Sequence, residues 1–284
     1  MYSAKEKGKN TFEFFNPVLN ENLTRKLVIE NELARAYENN EFSLYYQPQV
    51  LLDTKKIVGA EALLRWDSSR LGRVSPAEFI PVAEETGFIR TLGEWVINQA
   101  AIDLKKLRNS GFDELAVSVN ISIKQFYHQS LPDVLNEKLM EYALPTHLFK
   151  VEITESVVID HLELVLSQLH KLKELGIEIA LDDFGTGYSS LNYLKKLPID
   201  ILKIDRSFIQ EITEDKQDAA IVQAVINIAN SMNLTVIAEG LEAREQAELL
   251  GEIGCQQGQG YFFSKPVPLS QFVDLLENER AILK

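Results

Sequence analysis

Cysteine is almost missing from this 284-residue chain: Cys255 stands alone, which excludes an internal disulfide and fits a reducing compartment. Histidine is scarce too, with four scattered residues that offer no zinc-ligand spacing. No apolar run reaches the roughly 18 residues that a membrane span needs, and the polar, mixed-charge amino terminus lacks the pattern of a secretory signal. Positive charge is also in deficit. The 29 Lys and Arg residues face 42 Asp and Glu, a formal net charge of -13, which argues against non-specific binding to long nucleic acid. These absences lead to the expectation of a cytoplasmic protein with no direct membrane contact and no long nucleic acid partner. What is present, 45% hydrophobic and 25% charged residues, is a globular composition long enough for one large domain or two small ones. An anionic ligand would have to be held by metals or by local cations.

Along the chain, strand-like apolar runs alternate with amphipathic helical stretches. The predicted strands are Phe42 to Gln49, Ile57 to Leu64, Leu115 to Asn120, Phe149 to Ile153, Glu178 to Asp182, Ile201 to Asp205, Thr235 to Glu239 and Gly260 to Phe263. Helical spacing marks Gly93 to Leu107, His161 to Leu175, Ala219 to Met232 and Ala243 to Leu250. Such alternation favours an α/β fold closed as a (β/α)₈ barrel over an open doubly wound sheet. No G-x-G-x-x-G run follows the first strand, which weakens the open-sheet alternative.

The polar residues then fall at one topological level. Glu61 lies in the second strand, Asn120 closes the third, Glu152 sits in the fourth, Asp182 and Asp183 end the fifth, Lys203 is in the sixth and Glu239 ends the seventh. The carboxyl ends of barrel strands share a rim, so these residues converge on one pocket. The adjacent acids Asp182 and Asp183 repel one another and have no packing reason to sit together, unless a hard cation joins them. Glu61, Asn120, Glu152 and Asp182 could supply oxygens to one ion, with Asp183 holding a second, an arrangement suited to phosphoryl displacement. Lys203, in the apolar context Ile201-Leu202-Lys203-Ile204, would keep its charge beside them and orient water or neutralise developing negative charge. Glu239 would ligate through water or accept a proton; the sequence does not separate the two. The turn Gly185, Thr186, Gly187, Tyr188, Ser189, Ser190 reads as a mobile lid whose amides and hydroxyls meet phosphate or ribose oxygens. Glu155 would brace that lid, and Arg65 offers a planar donor for a phosphate.

These residues carry a family resemblance. Glu61-Ala62-Leu63 is the EAL signature, and the chain resembles the EAL-domain cyclic di-GMP phosphodiesterases over residues 42 to 268. The match runs through Tyr46-Gln47-Pro48, Pro76-Ala77-Glu78-Phe79-Ile80, Ser118-Val119-Asn120-Ile121-Ser122, Glu152-Ile153-Thr154-Glu155-Ser156, Asp182 to Ser190, Leu202-Lys203-Ile204-Asp205, Ala238-Glu239-Gly240 and Gln259-Gly260-Tyr261. The resemblance implies a modified (β/α)₈, TIM-like barrel whose first strand is antiparallel to its neighbours. It implies Glu61, Asn120, Glu152, Asp182 and Asp183 as metal ligands, Lys203 as catalytic lysine and Glu239 as base or water-mediated ligand. Gln259 then stands at the metal-water shell, Gln47 and Arg65 contact substrate, and Glu155 orders the lid. The implied reaction is hydrolysis of cyclic di-GMP to linear pGpG with Mg2+ or Mn2+, with Ca2+ inhibitory. Pairing of two copies through the barrel is a further expectation by analogy.

Residues 1 to 16 resemble the end of a GGDEF diguanylate cyclase domain, so the expected organisation is a GGDEF-like remnant over 1–16, a linker helix over 17–40 and an EAL phosphodiesterase domain over 41–284. That reading expects a parent chain with a fused GGDEF domain. Two other classes stay open on the sequence: a nucleotide receptor that binds without turnover, and an unrelated metal-dependent hydrolase on the same barrel.

Overall fold

The computed structural model describes residues 17–128, 130–155, 162–185 and 194–282. The proposed GGDEF-like remnant over 1–16 lies outside the described residues. Within them, helix α1 (Pro17–Glu38) precedes strands β1 (Phe42–Leu51), β2 (Ile57–Ser68) and β3 (Gly72–Val74), helices α2 (Pro76–Thr86) and α3 (Ile89–Asn109), and strand β4 (Ala116–Asn120). Next come α4 (Ile123–His128), α5 (Leu131–Glu141), β5 (Phe149–Thr154), α6 (Leu162–Glu174), β6 (Glu178–Phe184), β7 (Ile201–Ile204), α7 (Arg206–Ile209) and α8 (Lys216–Ser231). Strand β8 (Thr235–Ala238), α9 (Arg244–Glu252), β9 (Gln257–Gly258), β10 (Val267–Pro268) and α10 (Leu269–Ile282) complete the order.

Eight of these strands close a ring in the order β1, β9, β8, β7, β6, β5, β4, β2, with β2 returning to β1. The run from β2 through β9 is parallel, while β1 is antiparallel to both of its neighbours in the ring. The fold is the expected barrel with an inverted first strand. Its walls are strands of Val, Ile and Leu buried on both faces, such as the adjacent Ile201 and Leu202 of β7, because helices cover the outside of a parallel sheet. Helix α3 shows how the cover is made: Val96, Ala100, Leu104 and Leu107 recur at helical spacing and are buried against the barrel. Helix α1 buries Ile29, Leu33 and Ala36 in a smaller second core with Phe42, Trp66 and Phe79. There the Trp66 and Phe79 rings meet edge to face with centroids 5.5 Å apart.

One expectation needs correction. The eighth barrel strand is Gln257–Gly258, not Gly260 to Phe263. After Gln259 donates its N–H to the Ala238 carbonyl (2.8 Å), the chain folds around Leu241, which accepts from Phe262 N (2.9 Å), and a turn closes from Phe263 N to Gly260 O (3.1 Å). A Cβ at Gly260 would fall 2.2 Å from Leu241 N, so only glycine allows that reversal. The aromatic run Tyr261-Phe262-Phe263 is therefore a surface turn, with Tyr261 57% exposed. Helix α2, which carries Pro81 inside it, adds to the helices marked by apolar spacing.

Candidate active site

The register of the barrel carries the polar side chains to one mouth. Gln47 on β1 stands opposite Glu61 on β2, which pairs with Ser118 on β4; one layer up, Asn120 pairs with Glu152 on β5. Lys203 enters from β7, Asp182 and Asp183 from β6, Glu239 follows β8, and Gln259 follows β9. All eight strands of the ring thus contribute to one constellation, β8 and β9 through the residue that follows each.

Lys203 is its centre. The side chain is 0% exposed and its ammonium lies 2.6 Å from Glu239 Oε1, 3.3 Å from Glu61 Oε2 and 3.3 Å from Asp182 Oδ2, with Glu152 Oε2 also in contact. Glu61 is further held by two amides: Asn120 Nδ2 donates to Oε1 and Gln259 Nε2 to Oε2, both at 2.6 Å. Gln259 also donates to Gln47 Oε1 (3.1 Å), and Gln47 Nε2 donates to the Ser264 carbonyl (3.1 Å).

One ammonium cannot balance so many carboxylates. Burial, then the charge of Glu61, pushes Glu152 up to about 8. Burial likewise raises Glu239 well above the carboxylate range, and burial with the charge of Asp182 raises Asp183. Glu61 moves the other way: burial opposes its ionisation, but Lys203 and the Gln259 and Asn120 amides outweigh it and hold the carboxyl low. Lys203 also pays for burial, yet Asp182, Glu152, Glu239 and Glu61 together raise it well above its ordinary value. The ammonium therefore stays charged while burial favours the protonated forms of Glu152 and Glu239.

The same groups fit a hard cation. One oxygen each from Glu61, Glu152 and Asp182 lie within 4.8 Å of one another, as do those of Asp182, Asp183 and Glu239. Asp182 is common to both sets. The donors are oxygens with excess negative charge, as magnesium, manganese or calcium require. The buried Gln259 Oε1 has no hydrogen-bond partner among the described residues, an acceptor suited to an ion's water shell.

The placement of Asp183 has a backbone cause that alternation does not reveal. In a regular strand Asp182 and Asp183 would point to opposite faces. Here the β6–β7 pairing breaks register between Leu181 and Phe184, and Asp183 adopts φ 56°, with its N–H bonded to Asp182 Oδ1 at 2.9 Å. The left-handed step, which Asp tolerates better than most residues, brings both carboxylates to the mouth.

Arg65 stands apart from the carboxylates. Its Nη1 donates to Leu64 O (2.8 Å) and its guanidinium lies 5.6 Å from the Tyr45 ring centroid. It lines a cavity of about 420 Å³ with Asn120, Ser122, Thr154 and the apolar Ile80 and Leu92. Of the lid residues, Gly185 is described: its N–H points to Glu155 Oε2 at 3.4 Å, its φ is 99°, and a Cβ would fall 2.8 Å from Phe208 Cε2. Thr186, Gly187, Ser189 and Ser190 lie outside the described residues. Sequence reasoning missed Gln49, buried beneath Gln47 and within reach of Glu152; its parity with Gln47 along β1 was the available signal.

The family description "EAL domain" matches residues 30–266. The chain belongs to the EAL family. It is 40% identical over 274 residues to the bifunctional diguanylate cyclase/cyclic di-GMP phosphodiesterase MucR of Pseudomonas aeruginosa, covering 96% of this chain and 40% of that protein. It is 38% identical over 272 residues to the cyclic di-GMP phosphodiesterase PdeR of Escherichia coli, covering 96% of this chain and 41% of the relative. The chain thus spans about two-fifths of the length of these curated relatives. A solved structure described as the PaMucR phosphodiesterase in complex with c-di-GMP aligns with a TM-score of 0.82 at 39% identity, over 86% of this chain and 99% of that one. Among the described residues of this EAL domain, no helix is long and apolar enough to cross a membrane.

Proposed function

We propose that this EAL domain hydrolyses one phosphodiester bond of cyclic di-GMP to give linear pGpG, with Mg2+ or Mn2+ held at two neighbouring positions. The observation that carries the reading is the complete ring of oxygen donors around Lys203, supported by relatives whose names give the same activity. Glu61, Asn120, Glu152 and Asp182 serve one position and Asp183 the other. The proximity of Glu239 to Asp182 and Asp183 supports a role for it at the second position too, directly or through water. Divalent ions bound there supply a Lewis acid that polarises a phosphoryl oxygen and lowers the pKa of water. Calcium, larger and less exacting in geometry, fills the ring without supporting turnover.

The chain's own groups do the rest. Lys203 keeps a fixed positive charge where negative charge grows on the phosphate, with no reorganisation at the moment of reaction. Glu239, raised by burial, exchanges a proton at the same edge of the ring. Arg65 gives a planar pair of donors to a non-bridging phosphate oxygen, and the cavity beside it receives a base. Gln47 and Gln259, linked at 3.1 Å, hold the nucleotide and the water shell. Glu155 ties the end of β5 to the segment that opens at Gly185. We place the domain in the cytoplasm, in a longer parent that carries a GGDEF domain, with two copies pairing through the barrel.

The test is incubation of the purified chain with cyclic di-GMP and Mg2+, with an EDTA control, and chromatography of the products. Conversion to pGpG that EDTA abolishes is expected. Tight nucleotide binding in Mg2+ without conversion would overturn the enzyme in favour of a receptor.

A further inference from the structure

We infer that Gln49 is a positioning residue for Glu152: its side-chain amide fixes, from beneath, the carboxylate that faces the ion ring. The inference rests on the metal-dependent reading above. Gln49 is 2% exposed and lies in the barrel interior, where aliphatic side chains are the rule. A buried amide there needs partners, and it finds them in the site. Nε2 lies 3.4 Å from Glu152 Oε1 and 3.5 Å from Ser118 Oγ, at the long end of hydrogen-bonding distance.

The division of labour on Glu152 is what gives the amide a purpose. Among the described residues, Gln49 and Lys203 are the side chains that donate to this carboxylate, and they take different oxygens, Oε1 and Oε2. Glu61, by contrast, has amide donors on both of its oxygens, from Asn120 and Gln259. Without Gln49 the Glu152 carboxylate would be anchored by Lys203 alone, a long side chain with its own duties at three other acids. Two anchors fix the plane of a carboxylate; one allows it to swing.

The neighbouring strand is shaped to admit the amide. Gly59 stands directly opposite Gln49 in the β1–β2 register. A Cβ there would fall 3.1 Å from Gln49 Oε1 and 3.1 Å from the Ala116 carbonyl. The missing side chain at Gly59 is the space that Gln49 uses. Partners that orient ligands in this way are worth about 10- to 100-fold in metal affinity.

The experiment is a Mn2+ titration of the nucleotide-free chain followed by electron paramagnetic resonance, with thermal melting to confirm folding. Gln49→Met keeps length and apolar bulk while removing the donor. The expected result is a folded variant whose Mn2+ affinity is about 10- to 100-fold weaker, with cyclic di-GMP turnover recovering at high Mn2+ and KM for the nucleotide unchanged. Gly59→Ala crowds the amide without deleting it, should lower Mn2+ affinity in the same direction, and answers the question if Gln49→Met fails to fold. The double variant should lose little beyond Gln49→Met, because both act through one contact. Mn2+ affinity within twofold of the parent chain in a folded Gln49→Met variant overturns the assignment. A parent chain that binds no Mn2+ overturns it together with the metal-dependent reading, whereas one that binds Mn2+ and leaves cyclic di-GMP intact sinks the phosphodiesterase reading alone.

Discussion

Replacing Lys203 by Met is the perturbation that separates charge from shape at this site. Methionine fills most of the lysine's volume but leaves Glu61, Glu152, Asp182 and Glu239, all in contact with the ammonium, without a counter-charge. Removing one partner of a buried ionic network costs about 3–5 kcal/mol. Proton uptake by the acids offsets part of that loss. Glu152 is pushed up to about 8 by burial even with Lys203 present, and without the ammonium it is pushed higher. The sign follows from linkage. A carboxyl whose folded pKa is raised binds its proton more tightly when folded, so the folded state loses stability as pH rises from the unfolded value toward the folded one. Lysine stays charged across that window, so the gap in melting temperature between parent and variant should widen from pH 6 to pH 8. At pH 8 and without divalent ions a drop of roughly 6 to 20 °C is expected for a domain of this size. Mg2+ should narrow the gap, because it supplies the missing positive charge. In turnover assays at saturating Mg2+, kcat should fall about 10²- to 10³-fold, the usual loss when a preorganised electrostatic group is removed, with nucleotide affinity within threefold. A variant that keeps kcat within a factor of ten, or that loses affinity at unchanged kcat, would refute the role given to this ammonium.

Glu61→Gln keeps the hydrogen-bonding size of the residue but removes an anionic oxygen from the ring; Mn2+ affinity measured without nucleotide should weaken at least tenfold and pGpG formation should fall with it. Gly185→Ala forces a side chain onto φ 99° and to 2.8 Å from Phe208, so turnover should drop by more than Mn2+ affinity does, and unchanged turnover would count against a catalytic part for this turn. Burial pushes the Cys255 thiol up to about 12; it should resist alkylation at pH 8 in the native chain and react on denaturation. Because its folded pKa lies above its unfolded value, its stabilising contribution is complete below about pH 8.5 and is lost as pH climbs toward 12, which melts between pH 8 and pH 11 on the parent and Cys255→Ala would detect.

Much of the barrel could be read in advance because parallel strands buried on both faces leave a plain signal, short apolar runs ended by polar residues. Val117 to Asn120 and Ile201 to Lys203 are of that kind. The signal failed where another force set the backbone. Tyr261-Phe262-Phe263 has the hydrophobicity of a strand, yet Gly260 must pass against Leu241 and the turn leaves Tyr261 and Phe262 exposed. Helix α2 keeps Pro81 within it, and its face carries Phe79, Val82 and Ala83 into the second core. At the site, residue type and position at the strand end were enough to choose Glu61, Glu152, Asp182 and Lys203. They did not reveal that Lys203 touches four acids at once, since that depends on the inward tilt of strands far apart in sequence. Gln49 was marked only by its parity with Gln47, because a glutamine in a strand is an ordinary residue until its neighbours are known to be Gly59, Ser118 and Glu152.

The bulge in β6 connects the chemistry to the segment beyond it. If β6 stayed regular through Asp183, one of its two acids would face the helices, and only one of the two oxygen sets would form. The register break and the left-handed Asp183 turn both acids inward, and strand pairing resumes at once, at Phe184 opposite Ile204. The next residue, Gly185, is again left-handed and bonds its N–H to Glu155 on the end of β5. Two consecutive departures from strand geometry therefore bracket a single well-buried residue, Phe184. Cation binding at Asp182 and Asp183 would favour the conformation in which the bulge is formed, and that conformation also sets where Gly185 meets Glu155 and Phe208. Occupancy of the ring and the placement of Gly185 are thus tied to one backbone step. A metal-dependent change in hydrogen exchange should then appear at Gly185 even in the absence of nucleotide, and its absence in a chain that binds Mn2+ would show that the two are independent.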